Sequence, residues 1–183
     1  MVTGVQTCAL PICLLKRGIL ESYEKEVGRL QVSVCRLQEP NPLSPAQEKA
    51  YGEIHETFKT KEVCLLHGVT SSGKTEIYVR LIHEVLRLGR QVLYMLPEIA
   101  ITTQITERLA KLFGDKLLVY HSKFSDNERV EVWNKLLHND EPMLVLGVRS
   151  SLFLPFKDLG LIIVDEEHEN TYKQQDPAPR YHA

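Results

Sequence analysis

Residues 68–75, Gly-Val-Thr-Ser-Ser-Gly-Lys-Thr, stand between a short apolar run, Val63-Cys64-Leu65-Leu66, and an amphipathic segment from Lys74 to Leu88. They fit G-x-x-x-x-G-K-[ST] in full, the pattern of a strand that turns sharply into a helix around a phosphate group. Gly68 and Gly73 permit the tight backbone. The N–H groups of Val69, Thr70, Ser71, Ser72 and the first helical turn would then point at phosphate oxygens, where the helix dipole also favours negative charge. Lys74 would reach the β- and γ-phosphates as a mobile point charge, and the Thr75 hydroxyl would ligate Mg²⁺. A Gly/Ser-rich turn with no ligand is the other reading of the same residues.

The rest of the chain supplies the strand and helix units that such a turn requires. Ser44 with Pro45 at the first helical position opens a helix whose apolar residues Ala46, Ala50, Tyr51, Ile54 and Phe58 recur at helical spacing. The spacing predicts a strand at Val63–Leu66 and a helix over Lys74–Leu88, with Ile77, Tyr78, Leu81, Ile82 and Val85 inward and Gly89 as the stop. Strand Val92–Leu96 then leads to helix Ala100–Phe113, and strand Leu117–Tyr120 to helix Asp126–Leu137, where Trp133 reads as core. Strands Met143–Val148 and Leu161–Val164 complete the pattern. Alternation of this kind predicts an α/β fold, a parallel sheet with helices on both faces.

The last of these strands, Leu161-Ile162-Ile163-Val164, runs into Asp165-Glu166-Glu167-His168. Ligands of open α/β sheets bind beyond the carboxyl ends of the strands, so these carboxylates fall on the same edge as the phosphate loop. Asp165 would hold Mg²⁺ through its water shell, and Glu166 would polarise the water that attacks the γ-phosphate.

Composition narrows the class without choosing the function. With 43% hydrophobic and 25% charged residues and a net charge of −2, the chain is of ordinary globular type. At this length roughly 70% of the unfolded surface can be buried, so no disulfide or metal staple is needed. No apolar run approaches the ~20 residues of a membrane span, and no membrane partner is expected. The near-neutral charge provides no global field for nucleic acid, so any DNA contact is local. Cys8, Cys13, Cys35 and Cys64 form no C-x-x-C pair, which reads as reduced, intracellular thiols rather than a zinc site.

Several segments together carry a resemblance. Asp165-Glu166-Glu167-His168 resembles the DExH-type box of superfamily 2 helicases. The chain is further similar to the PriA (primosomal protein N′) family of replication restart helicases in GVTSSGKTEIY (68–78), LPEIAIT (96–102), His121-Ser122, GVRSSLFLPF (147–156) and YKQQ…PRYHA (172–183). The resemblance implies a P-loop NTPase of RecA-like fold, the first motor domain of an ATP-dependent DNA helicase, with ATP and Mg²⁺ as cofactors. It implies DNA as partner, at branched forks and single-stranded regions, together with primosome proteins and the single-stranded-DNA-binding protein, in the bacterial cytoplasm. It places Gln47 as the adenine-reading glutamine, the other reading being an exposed helical side chain. Pro97, Glu98, Arg149 and Ser150 would lie near the DNA strand, where polar groups can bond phosphate oxygens; a structural salt bridge is the alternative for Arg149. Tyr172, Lys173, Arg180 and Tyr181 resemble an aromatic-rich loop that couples DNA binding to ATP hydrolysis, and aromatics among cations suit stacking on unpaired bases. A plain tail is the alternative there. His168 would link the acidic box to DNA contacts, or be an ordinary hydrogen-bonded histidine.

The organisation expected from these readings has three parts. Val2–Ile12 resembles the in-frame translation of a sequencing adapter, so residues 1–12 are expected to be non-native. Residues 13–40 are expected to hold the end of a preceding winged-helix-like module and a linker at Glu39-Pro40-Asn41-Pro42. Residues 41–183 are expected to form the RecA-like ATP-binding domain, cut short at its C-terminal end, with the family's zinc bound outside this chain. A P-loop kinase is disfavoured because GVRSS and DEEH have no role in one, and a GTPase because no DxxG or NKxD element occurs; a module that only binds nucleotide or DNA stays open.

Overall fold

Ser44 caps the first helix, α1 (Pro45–Phe58), through a reciprocal pair: its Oγ accepts from Gln47 N at 3.4 Å while Gln47 Oε1 accepts from Ser44 N at 2.8 Å. This computed structural model describes residues 37–69, 72–121 and 124–173. The chain divides into two units, Met1–Gln31 and Val32–Ala183, and every described residue belongs to the second. The expectations for residues 1–36 therefore lie outside the described residues.

Helix α2 (Lys74–Arg87) starts directly after Gly73 and stops at Gly89, both with positive φ. Strand β1 (Gln91–Met95), helix α3 (Thr103–Phe113), strand β2 (Leu117–Tyr120), helix α4 (Asp126–His138), and strands β3 (Leu144–Gly147) and β4 (Leu159–Val164) follow. The four strands are ordered β2-β3-β1-β4 and every pairing is parallel, with Tyr94 of β1 in register with Leu146 on one side and Ile163 on the other. The expected α/β, RecA-like parallel sheet is present.

Successive strand residues alternate between two cores. Val92, Tyr94, Leu144, Leu146 and Ile163 meet Tyr78, Val79, Ile82 and Leu86 of α2 and Leu109 and Phe113 of α3. Leu93, Met95 and Val145 point the other way, onto Val132 and Leu136 of α4, Leu154 and Tyr172. Each of these large side chains contributes about 1.5–3 kcal/mol by leaving water. The ladder on β1 and β3 thus holds the carboxyl ends of the strands in one row.

Three expectations are corrected. Val63–Leu66 forms no ladder with any described strand. Cys64 and Leu66 are half-buried against the cluster of Ile54, Ile77 and Leu81, whereas Val63 and Leu65 are 81% and 72% exposed. An apolar run signals extension and burial; it does not supply a strand's hydrogen-bonding partner, and this one is covered on a single face. Helix α3 begins at Thr103 rather than Ala100, because the Thr102 hydroxyl accepts from Ile105 N and caps it there, with a short 3-10 turn at Glu98–Ala100 before it. Trp133 is 43% exposed, because α4 rests on Val132 and Leu136 and so turns the neighbouring position outward. Among the described residues no helix is long and apolar enough to cross a membrane.

Candidate active site

The glycine-rich turn has two glycines in tight places, and the second, Gly73, holds a backbone conformation that other residues rarely adopt. A Cβ on Gly68 would lie 2.9 Å from Ser72 Oγ, and one on Gly73, where φ is +81°, would lie 2.5 Å from Gln47 Nε2. Ser72 N donates to Val69 O at 3.2 Å and Glu76 N to Gly73 O at 3.1 Å, so the turn passes into α2 without a break. Lys74 folds back so that Nζ donates to Gly68 O, which stands its ammonium inside the turn with further N–H bonds to give. Thr75 is half-buried in the first turn of α2. A glycine cradle that a Cβ would fill, a lysine directed into it and a hydroxyl beside it fit a Mg²⁺-bound triphosphate. Thr70 and Ser71 lie outside the described residues.

Gln47 is not an exposed helical side chain. Its Oε1 completes the α1 cap while its Nε2 donates to Gly73 O at 3.1 Å, tying α1 to the turn. One glutamine thereby links the start of one helix to the start of the next.

The acidic box is built by longer-range bonds. Asp165 N donates to Met95 O at 3.0 Å, extending the β1–β4 pairing one residue past the strand. Its Oδ2 accepts from Tyr94 OH at 3.1 Å, its Oδ1 from Glu166 N at 3.1 Å, and its carbonyl from Tyr172 OH at 2.8 Å. Glu166 takes φ of +52°, a left-handed conformation costing about 1–2 kcal/mol for a residue with a side chain. That turn, closed by Glu169 N on Glu166 O at 2.9 Å, leaves Glu166, Glu167 and His168 exposed beyond the sheet.

Tyr78 connects the two motifs. It lies one turn beyond Lys74 on α2, and burial first, then the charges of Asp165 and Glu167, push its phenol well above the ordinary value of 10.0. Tyr94 and Tyr172 are raised in the same way, burial being the largest cause for each and Asp165 the next. All three hydroxyls stay protonated at neutral pH and can only donate to a carboxylate.

The remaining residues singled out in the sequence divide. Pro97 is buried after β1 and Glu98 is exposed on the following 3-10 turn. Arg149 and Ser150 stand in a 3-10 turn after β3, held because Ser151 Oγ donates to Val148 O at 2.5 Å, where a Cβ on Gly147 would collide with Ser151. Arg149 Nη1 donates to Thr171 O at 3.1 Å, bridging this turn to the loop after the acidic box. Lys173 is exposed. Tyr172 departs from the expectation of a base-stacking aromatic: at 5% exposure it is packed among Met95, Leu154 and their neighbours, and its hydroxyl is spent on Asp165. Ser122, Arg180 and Tyr181 lie outside the described residues. Sequence reasoning missed Tyr94 and treated Tyr78 as core. The available signal was a tyrosine in a wholly buried strand, whose hydroxyl must find a partner.

Comparison with known proteins agrees with this arrangement. The family model described as DEAD/DEAH box helicase matches residues 44–181. The chain is 44% identical over 174 residues to the replication restart protein PriA of Bacillus subtilis (strain 168), an alignment covering 93% of this chain and 21% of that protein. It is 42% identical over 172 residues to the protein of that name from Synechocystis sp. (strain ATCC 27184 / PCC 6803 / Kazusa), covering 93% and 20%. With that of Haemophilus influenzae (strain ATCC 51907 / DSM 11121 / KW20 / Rd) it shares 44% identity over 143 residues, covering 77% and 19%. The chain spans about one fifth of the length of these relatives.

Proposed function

Because the chain belongs to the DEAD/DEAH box helicase family, we propose that residues 41–183 are the first motor lobe of an ATP-dependent DNA helicase acting in replication restart. The observation that supports this reading is the chain of contacts from α2, the helix that the glycine-rich turn opens, to the acidic box: Tyr78 packs edge-to-face on Tyr94, whose hydroxyl donates to Asp165 Oδ2.

In this site Lys74 and the turn's N–H groups bind the triphosphate. Thr75 and Asp165 hold Mg²⁺, which when bound neutralises charge at the phosphates. Glu166, set outside the sheet by its left-handed backbone, orients and polarises the attacking water. Gln47 steadies the turn through Gly73, and the resemblance assigns it to reading the adenine. Pro97, Glu98, Arg149, Ser150, His168 and Lys173 form the DNA-facing group, with Arg180 and Tyr181 assigned to it by resemblance. Arg149 reports DNA contact to the acidic box through Thr171 and Tyr172.

In this reading the physiological substrates are ATP and branched or single-stranded DNA, the partners are primosome proteins and the single-stranded-DNA-binding protein, the compartment is the bacterial cytoplasm, and zinc is bound by residues outside this chain. A second lobe contributes the arginine that neutralises transition-state charge, worth about 10³–10⁵ in rate in related NTPases. The 183-residue chain accordingly binds Mg·ATP weakly and hydrolyses it negligibly. Steady-state hydrolysis with and without forked DNA tests this: a basal, DNA-independent rate is expected, and DNA-stimulated turnover near that of a complete motor overturns it.

A further inference from the structure

Tyr94 occupies the middle of the sheet, 1% exposed, on a strand whose other residues are all buried as well. Its ring is set edge-to-face against Tyr78, with centroids 5.8 Å apart, which fixes where its hydroxyl points. That hydroxyl meets Oδ2 of Asp165, while Oδ1 is taken by the backbone N–H of Glu166. A carboxylate held by donors on both oxygens cannot rotate about its Cβ–Cγ bond, yet each oxygen keeps a lone pair for another partner. For filling the core a phenylalanine would serve equally well; the phenol oxygen adds only the bond to Asp165. An unpaired hydroxyl at this depth would be costly.

We propose that Tyr94 is a positioning residue for the divalent cation that accompanies the nucleotide: its hydroxyl fixes the Asp165 carboxylate in the orientation that receives the cation's water shell. The inference rests on the reading of Asp165 as a Mg²⁺-holding residue. Outer partners that orient a metal-binding group alter metal affinity about 10–100-fold when removed. Tyr94 acts through one hydrogen bond on a water-mediated site, so the lower end applies.

The test measures binding of a fluorescent ribose-labelled ATP analogue to the 183-residue chain across a Mg²⁺ titration, and again in EDTA. Tyr94→Phe keeps the ring and is expected to raise the Mg²⁺ concentration for half-maximal binding about 10-fold, with binding in EDTA unchanged. Tyr51→Phe removes a comparable carboxylate-bonded hydroxyl, 2.6 Å from Glu84 Oε2 and away from the acidic box, and is expected to leave the Mg²⁺ midpoint where it was. An unshifted midpoint in Tyr94→Phe, or an equal shift in Tyr51→Phe, overturns the inference while leaving the nucleotide site standing. Failure of the unsubstituted chain to bind the analogue in a Mg²⁺-dependent way overturns the nucleotide reading and this inference with it.

Discussion

The two halves of the site are supported in different ways. The glycine-rich turn is entered by a segment with no ladder partner among the described residues, Val63 and Leu65 open to water, and is held chiefly by Gln47 and by its own lysine. The acidic box leaves a paired strand, and all four polar atoms of Asp165 are engaged: N with Met95, O with Tyr172, Oδ1 with Glu166 and Oδ2 with Tyr94. The first half is therefore specified by residue types that permit one tight backbone path, with a single tie from α1 through Gln47. The second is specified at long range, by partners contributed from β1 and from the loop that follows the box. The sparsely bonded half carries the lysine, and the rigid half, bonded at every polar atom, carries the Asp165 carboxylate.

Three experiments would break or sharpen this contrast. The largest effect is expected on stability: Leu146→Ala in fully buried β3 should cost about 2–5 kcal/mol, whereas Leu65→Ala in the exposed approach to the turn should cost less than about 0.5 kcal/mol. Denaturant unfolding of the two variants measures the difference, and equal costs would show that 63–66 is bound into the sheet. Next, Lys74→Ala should weaken nucleotide binding about 100-fold, the loss of two charge-assisted hydrogen bonds at roughly 1.5 kcal/mol each. Calorimetry reads this, and DNA binding measured alongside should be largely intact. The smallest effect is expected at Glu166, where Glu166→Gly relieves the left-handed backbone and should raise stability by up to about 1 kcal/mol in thermal unfolding. An unchanged or lower midpoint would mean that the turn of the rigid half stores no strain.

Most of the architecture was legible because it follows from periodicity. The face of α2, the helix start at Ser44 and Pro45, the stop at Gly89 and the bounds of β2 all come from local chemistry, and each appears where the sequence placed it. What failed depends on partners. Val63–Leu66 has the apolar character of a strand but no ladder, and Trp133 has the character of core but faces outward one position from Val132. The same division runs through the site. G-x-x-x-x-G-K-T and DEEH are visible as strings, whereas the tyrosines around Asp165 arrive from α2, β1 and the loop at 172 and share no motif. The sequence shows Tyr172 as an aromatic among cations; its burial and its bond to Asp165 O are set by the fold.

Hydrogen exchange of the 183-residue chain, with and without Mg·ATP, tests the central claim that both halves grip one nucleotide. The account predicts slowed exchange at two separated segments, the turn and first helical turn at 68–76 and the box at 165–169, with both responses lost in Lys74→Ala. Protection confined to 68–76, with the acidic box indifferent to Mg·ATP, would contradict it.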